Sequence, residues 1–180
     1  DPELFSRGDS TLLSWTLASL GILELVGLPG LQGAEIVPVQ NSGNFIDLRD
    51  TLGSNDVRFD DTLDGVTRVA LPRSFQLWLQ GRRYETLYVG VNGFVAPTAL
   101  TGANADLTQA SAPDVFAPLW GDFQLNAGSR VVTAVRNRPG TNEQLFFVQW
   151  DSLERVGEPG SSYTFESQLY ESDQVLFVYG

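Results

Sequence analysis

Residues 82–95, RRYETLYVGVNGFV, carry the clearest strand and turn signals in the chain. Polar and aromatic residues alternate there with apolar ones that would share one face of a strand: Leu87, Val89 and Val91. Asn92-Gly93 follows directly and favours a two-residue type I′ turn, because both central residues of that turn need a positive φ. The stretch therefore predicts one strand, a tight turn and the start of a return strand.

Further strand candidates occur at short intervals on both sides of this hairpin, separated by turn signals rich in Gly, Pro and Asn. They are residues 34–40, 44–48, 66–71, 75–80, 115–125, 130–137, 143–150, 162–171 and 174–179. Alternation predicts that one set of side chains faces the core: Phe146, Val148, Trp150, Tyr163, Phe165 and Leu169. The pattern predicts a mainly β fold, namely an antiparallel β-sandwich over residues 34–180.

The N-terminal residues 1–33 form a separate apolar segment in this scheme. Residues 10–26 predict a helix that Asp9 or Ser10 caps and Gly27 stops, although a strand through residues 21–28 is an alternative. Apolar side chains cover most of the circumference of this predicted helix, so it needs a surface to pack against. Packing on a neighbouring chain is favoured over packing on its own domain. Contact with a membrane is a weaker alternative, since the run is short and contains Glu24. The predicted interface residues are Leu13, Trp15, Leu17, Leu20 and Leu23.

Composition narrows the possible functions. The chain has 180 residues, a net charge of −11 and a pI of about 4.2. Such acidity argues against nucleic acid and anionic membranes as partners, since both require basic surfaces. Cys and His are absent, and all eleven basic residues are Arg. Disulfides, histidine metal ligands, and Ser-His-Asp or Ser-Lys catalysis are therefore excluded.

An acidic loop before residue 66 is the one candidate metal site. Asp60, Asp61 and Asp64 offer carboxylate oxygens of the kind that calcium prefers. Their spacing does not match an EF-hand loop, and the favoured interpretation is a solvated acidic turn. No cofactor other than calcium is expected.

Arg82 and Arg83, with Arg68 and Arg73 upstream, form a candidate site for an anion or an acidic carbohydrate, or else make local ion pairs. Tyr170 is a further candidate binding residue. Alternation places it with Thr164, Glu166 and Gln168 on a face predicted to meet solvent or a partner.

Two aromatic-acid pairs, Trp120 with Asp122 and Trp150 with Asp151, resemble the residues of sugar-binding clefts. A glycosidase would need two carboxylates held opposite each other, and nothing in the sequence predicts that arrangement. The favoured interpretation places both tryptophans in the core, and no enzymatic activity is expected.

Several stretches, in order, resemble one family. They are FDDTLDGVTRVALPRSF, YETLYVGVNGFV, FAPLWGDF, LFFVQWDSL and YTFESQLYESDQVLFVYG, which together span residues 57–180. The resemblance is to the NIDO-type extracellular module of nidogen, tectorin and membrane mucins, and most closely to its bacterial secreted versions. It implies a secreted or cell-surface setting and an adhesion-type role, with no catalytic residues. Arg73 and Leu119 depart from the aromatic residues usual at their positions.

The sequence thus predicts a non-catalytic extracellular module for adhesion or assembly, with protein partners or self-assembly. One alternative is a subunit of an extracellular filament that packs its N-terminal segment into a neighbour. Another is a carbohydrate-binding module supported by calcium.

Overall fold

Antiparallel strands form every regular element that the computed structural model describes. The structure describes residues 22–26, 35–39, 45–79, 81–100, 115–138, 140–172 and 174–180. The strands are β1 (Ile22–Val26), β2 (Glu35–Val39), β3 (Asn55–Asp56), β4 (Val66–Ala70), β5 (Leu77–Leu79), β6 (Arg82–Tyr84), β7 (Thr86–Gly90), β8 (Phe94–Ala96), β9 (Phe123–Gln124), β10 (Arg130–Asn137), β11 (Gln144–Arg155), β12 (Tyr163–Tyr170) and β13 (Gln174–Tyr179). The predicted mainly β fold is confirmed.

One large sheet has the strand order β2-β1-β13-β12-β11-β10-β3, and β9 pairs with the far end of β11. Its long strands alternate bulky apolar residues with others, so one face presents a continuous apolar surface. Two smaller sheets, β4-β7-β8 and β5-β6, cover that face. Leu77, Leu87 and Val89 of the small sheets share one buried cluster with Trp150 and Phe165 of the large sheet.

Trp150 joins the two layers. Its ring stacks on Phe165 of the neighbouring strand at a centroid distance of 5.1 Å. Its Nε1 atom donates a hydrogen bond to the carbonyl oxygen of Gly90 in β7 at 2.9 Å. A bulge with Ser152 at φ 55° then shifts the register, so Leu153 also faces the core.

Residues 45–48 cover part of the opposite face of the large sheet. Leu48 is fully buried in a cluster with residues of β10 and β11, namely Val132, Ala134, Leu145 and Phe147. Phe45 packs against Leu176 and Val178 of β13. The large sheet is therefore covered on both faces by distant parts of the same chain.

The structure describes only residues 22–26 of the helix predicted over residues 10–26, and the helix prediction is wrong there. Ile22–Val26 is strand β1, which pairs with β13 and places Leu23 opposite Phe177. An edge strand leaves a row of backbone groups without partners, and β1 supplies those partners to β13 within the same chain. Residues 10–21 lie outside the described residues, and the division at residue 33 remains a prediction. In the part of the chain that the structure describes, no helix is long and apolar enough to cross a membrane.

The strand predicted from residue 82 onward is two strands. Arg82–Tyr84 pairs with β5, whereas Thr86–Gly90 pairs with β4 and β8. At the break between them, the Glu85 carbonyl accepts a hydrogen bond from the Leu71 amide at 2.9 Å. The chain therefore leaves one small sheet and enters the other at this residue.

The predicted two-residue type I′ turn is also wrong. Gly90 pairs with Phe94, so the turn contains three residues, and Gly93 has φ +77° while Asn92 is not among the residues with positive φ. This is the pattern of a three-residue hairpin loop with Gly in the left-handed position. The reason is tertiary, since the side chain of Asn92 is buried and bonded to other parts of the chain.

Candidate functional site

Asn92 connects the turn to an acidic loop. Its Nδ2 atom donates to the Asp64 carboxylate at 3.0 Å, and its Oδ1 atom accepts from the Phe123 amide at 2.8 Å. The Val91 amide also donates to the Gly65 carbonyl at 2.9 Å. These bonds hold the loop at the end of the small sheet where β4 begins and β7 ends.

The three predicted calcium ligands lie in this loop and are exposed. Asp61 accepts a hydrogen bond from the Leu63 amide at 2.9 Å, which is the turn geometry expected of Asp at this position. None of Asp60, Asp61 and Asp64 forms an ion pair with a described arginine. Among the described residues, no group of three acidic side chains is arranged to hold a metal ion. Calcium binding stays a prediction.

The β5–β6 ribbon lies beyond the other end of β4. Leu77 and Leu79 of β5 point into the core, whereas Trp78 between them is 43% exposed. Trp78 pairs directly with Arg83 on β6, and that arginine side chain is 46% exposed. One face of the ribbon is thus anchored by leucines, and the other presents a tryptophan next to an arginine.

Charge is distributed unevenly along the chain. Residues 66–85 contain four arginines and one carboxylate, Glu85. The rest of the chain contains seven arginines and 21 carboxylates. The small-sheet layer therefore carries a local positive charge in a strongly acidic protein, although the net charge of the whole chain does not suggest it.

The arginines of the large-sheet layer already have partners. Arg49, Arg130, Arg138 and Arg155 form ion pairs, and Arg136 donates to the carbonyl oxygens of Val135 and Leu52.

The arginines of the small-sheet layer differ. Among the described residues, no carboxylate lies within 4.0 Å of Arg58, Arg68, Arg73 or Arg82, and Arg83 reaches only Glu85, at 3.9 Å. Of the four arginines for which local ion pairs were expected, Arg83 forms one among the described residues, and Arg68, Arg73 and Arg82 form none there.

The positive and acidic groups lie at opposite ends of β4. Asp64 lies two residues before the first residue of this strand, and Arg73 follows the strand in the turn before β5. Five strand residues span about 17 Å. The acidic loop and the β5–β6 ribbon therefore do not neutralise each other within one molecule. Arg58 lies within the acidic loop itself and forms no ion pair with a described carboxylate.

Tyr170 lies elsewhere. It is half-buried on the face of the large sheet that residues 45–48 cover, and the Arg138 guanidinium lies 5.7 Å from the centre of its ring. The small sheets that carry Arg82 and Arg83 pack on the opposite face. The structure does not bring the three predicted binding residues together.

The aromatic-acid pairs do not form a cleft. Trp150 is fully buried in the core as predicted, and Asp151 lies on the opposite face with its carboxylate 3.8 Å from Arg49. Trp120 is half-buried and packs on Phe94 at 5.1 Å rather than lying in the main core.

A buried polar cluster underlies residues 45–48, which the sequence did not predict. Glu166 and Gln149 are fully buried and directly opposite each other on β12 and β11. The Leu48 amide donates to Gln149 Oε1 at 2.8 Å, and the Ile46 amide donates to Glu166 Oε1 at 3.4 Å. Gln168, also buried, donates to the same Glu166 oxygen. The prediction that Glu166 and Gln168 meet solvent or a partner is wrong, because residues of the same chain cover them.

Burial changes the chemistry of this cluster. It raises the pKa of Glu166 from the ordinary 4.5 to about 7, although hydrogen bonds from Gln168 and Ile46 act in the other direction. The second oxygen of Glu166 and the amide nitrogen of Gln149 have no hydrogen-bond partner in the described structure. Alternation assigns Glu166 and Gln168 to one face of their strand, but only the pairing of β12 with β11 places Glu166 opposite Gln149, and only the long-range contact with residues 45–48 reveals their burial.

Of the predicted interface residues, Leu13, Trp15, Leu17 and Leu20 lie outside the described residues. Leu23 belongs to β1, whose backbone pairs with β13 of the same chain. The interface predicted for these five residues stays a prediction.

Comparison with known proteins identifies the family. Residues 39–180 match the family described as NIDO related. No curated protein and no solved structure matches the chain. The matched range contains the acidic loop, the basic ribbon and the strands from β3 to β13. The chain belongs to the NIDO-related family.

Proposed function

We propose that the chain is a non-catalytic extracellular module for adhesion or assembly, and that the β5–β6 ribbon is its contact surface. Membership of the NIDO-related family supports an extracellular setting. The observation that carries the proposal is the exposed cross-strand pair of Trp78 and Arg83, on a ribbon held to the core by Leu77 and Leu79. Arg82 is also exposed, but it lies opposite Leu79 and so on the other face of the ribbon.

The chemistry of the ribbon suits a macromolecular contact. Tryptophan and arginine are the residue types most enriched at the energetically dominant positions of interfaces. A guanidinium without an internal carboxylate binds external carboxylates through a planar pair of donors. The partner is therefore an anionic macromolecule, and a negative net charge of 11 keeps the rest of the module soluble.

Bead clustering tests this proposal. Beads that carry the full chain are mixed either with beads that carry the same chain or with beads that carry a uronic-acid polymer. Clusters should form with one of these probes and should be lost in the double variant Arg82→Gln with Arg83→Gln. Arg155→Gln is the matched control, because Arg155 is exposed but paired with Glu158 on the large-sheet layer.

Clusters with neither probe, or clusters that survive in the double variant, would overturn the ribbon as the contact surface. Clusters with the uronic-acid polymer that depend on the ribbon would instead favour the carbohydrate-binding role, which Trp78 suits through its exposed ring.

A further inference from the structure

We propose that copies of this chain associate head to tail, with the basic ribbon of one copy seated on the acidic loop of the next. The inference rests on the proposed function, since it names the partner of the same ribbon. That partner is a second copy of the chain.

The first argument is complementarity between two surfaces that each lack a partner. Arg82 has no carboxylate nearby among the described residues, and Arg83 has only the distant and 80% exposed Glu85. Asp60 and Asp61 are exposed and form no ion pair with a described arginine. One molecule therefore presents unneutralised guanidinium groups and unneutralised carboxylates, and a second copy satisfies both.

The second argument is geometry. The ribbon follows the last residue of β4 and the acidic loop precedes its first residue, so the two surfaces lie at opposite ends of one strand. A contact between different patches is heterologous, and it leaves a free basic end and a free acidic end on every pair. Association of this kind extends into an open chain or closes into a ring, whereas a symmetric dimer would use the same patch twice.

The third argument concerns the negative net charge of 11 that both copies carry. At ~0.15 M ionic strength the screening length is about 8 Å, which weakens the repulsion between whole molecules more than the attraction between groups in contact. Further salt then weakens the contact itself. The association should therefore decline between ~0.15 M and ~1 M NaCl, in contrast to an apolar contact, which salt leaves intact or strengthens.

Mixing two neutralised variants of the full chain gives a decisive test. A basic-end variant carries Arg82→Gln with Arg83→Gln, and an acidic-end variant carries Asp60→Asn with Asp61→Asn. All four side chains are exposed, so both variants should melt at the native temperature. Sedimentation at up to about 1 mM chain, the concentration range of weak contacts, should show oligomers of the native chain and monomers of each variant alone.

The mixture of the two variants should form a 1:1 dimer and nothing larger. The acidic-end variant keeps its basic ribbon and the basic-end variant keeps its acidic loop, so only one contact can form between them. Arg155→Gln and Glu158→Gln are the matched controls and should form oligomers like the native chain. A native chain that stays monomeric, oligomers that persist in either variant, or a mixture that fails to form the dimer would each overturn the proposal. If the native chain stays monomeric while the ribbon binds the uronic-acid polymer, the ribbon remains the contact surface and the head-to-tail contact is wrong.

Discussion

A Cβ atom added to Gly93 would lie 2.1 Å from the carbonyl oxygen of Leu119. Leu119 belongs to the segment before β9, so the tip of the β7–β8 hairpin packs directly against a distant backbone. Gly93 also has φ +77°, a conformation that other residues adopt with strain. Two independent constraints thus require glycine at this turn.

Gly93→Ala should lower the free energy of unfolding by about 2–5 kcal/mol, through backbone strain and the clash with Leu119. Gly160→Ala separates the two effects, because Gly160 has φ +80° and no atom within 4 Å of an added Cβ. The control should lose only about 1 kcal/mol in the same urea titration. Equal losses in both variants would contradict the close approach to Leu119.

Asn92→Ala should destabilise the protein by about 2–4 kcal/mol, because it leaves the Phe123 amide without its bond at a buried position and releases Asp64. Asp64→Asn is the matched control, since an amide oxygen still accepts from Asn92 and only an exposed charge is lost. Thermal melts of both variants would measure the difference. A small loss for Asn92→Ala would mean that the turn does not hold the acidic loop.

Leu48→Ala should cost about 2–4 kcal/mol, since this fully buried side chain fills the apolar cluster under residues 45–48. Leu52→Ala, four residues further along the chain and 97% exposed, should change the stability by less than about 0.5 kcal/mol. Urea denaturation of the two variants gives the comparison. If Leu48→Ala behaves like Leu52→Ala, residues 45–48 do not cover the large sheet.

The raised pKa of Glu166 predicts a stability that depends on pH. Its pKa is about 7 in the folded chain and near the ordinary 4.5 when unfolded, so the folded state binds the proton more tightly. The stability that the protonated form contributes is full below about 4.5. It falls as pH rises towards about 7, by roughly 3 kcal/mol in total.

Urea titrations at pH values from 5 to 8 would measure this slope. The chain contains no His, so no imidazole titrates in the same range. Glu166→Gln should remove the slope, and Glu85→Gln, at an 80% exposed position, should keep it. A slope that survives in Glu166→Gln would assign the pH dependence to another group.

The sequence predicted the parts of the fold that depend on local alternation. The apolar residues Phe146, Val148 and Trp150 lie on one face of β11, and Phe165 and Leu169 join them from β12, as their spacing indicated. A strand presents alternate residues to opposite faces whatever lies beyond it, so this information is local.

Tertiary contacts decided what covers each face and which groups keep their charge unpaired. Glu166 and Gln168 lie on the face that alternation assigned to them, but residues 45–48, more than one hundred positions away, bury them there. Asn92 adopts a three-residue turn because its side chain bonds to Asp64 and Phe123, which a local turn preference cannot include. The four arginines of residues 66–85 were visible in the sequence. Whether each of them has an ion-pair partner depends on which carboxylates the fold brings near it, and only the folded chain determines that: among the described residues Arg83 reaches Glu85, and Arg68, Arg73 and Arg82 reach none.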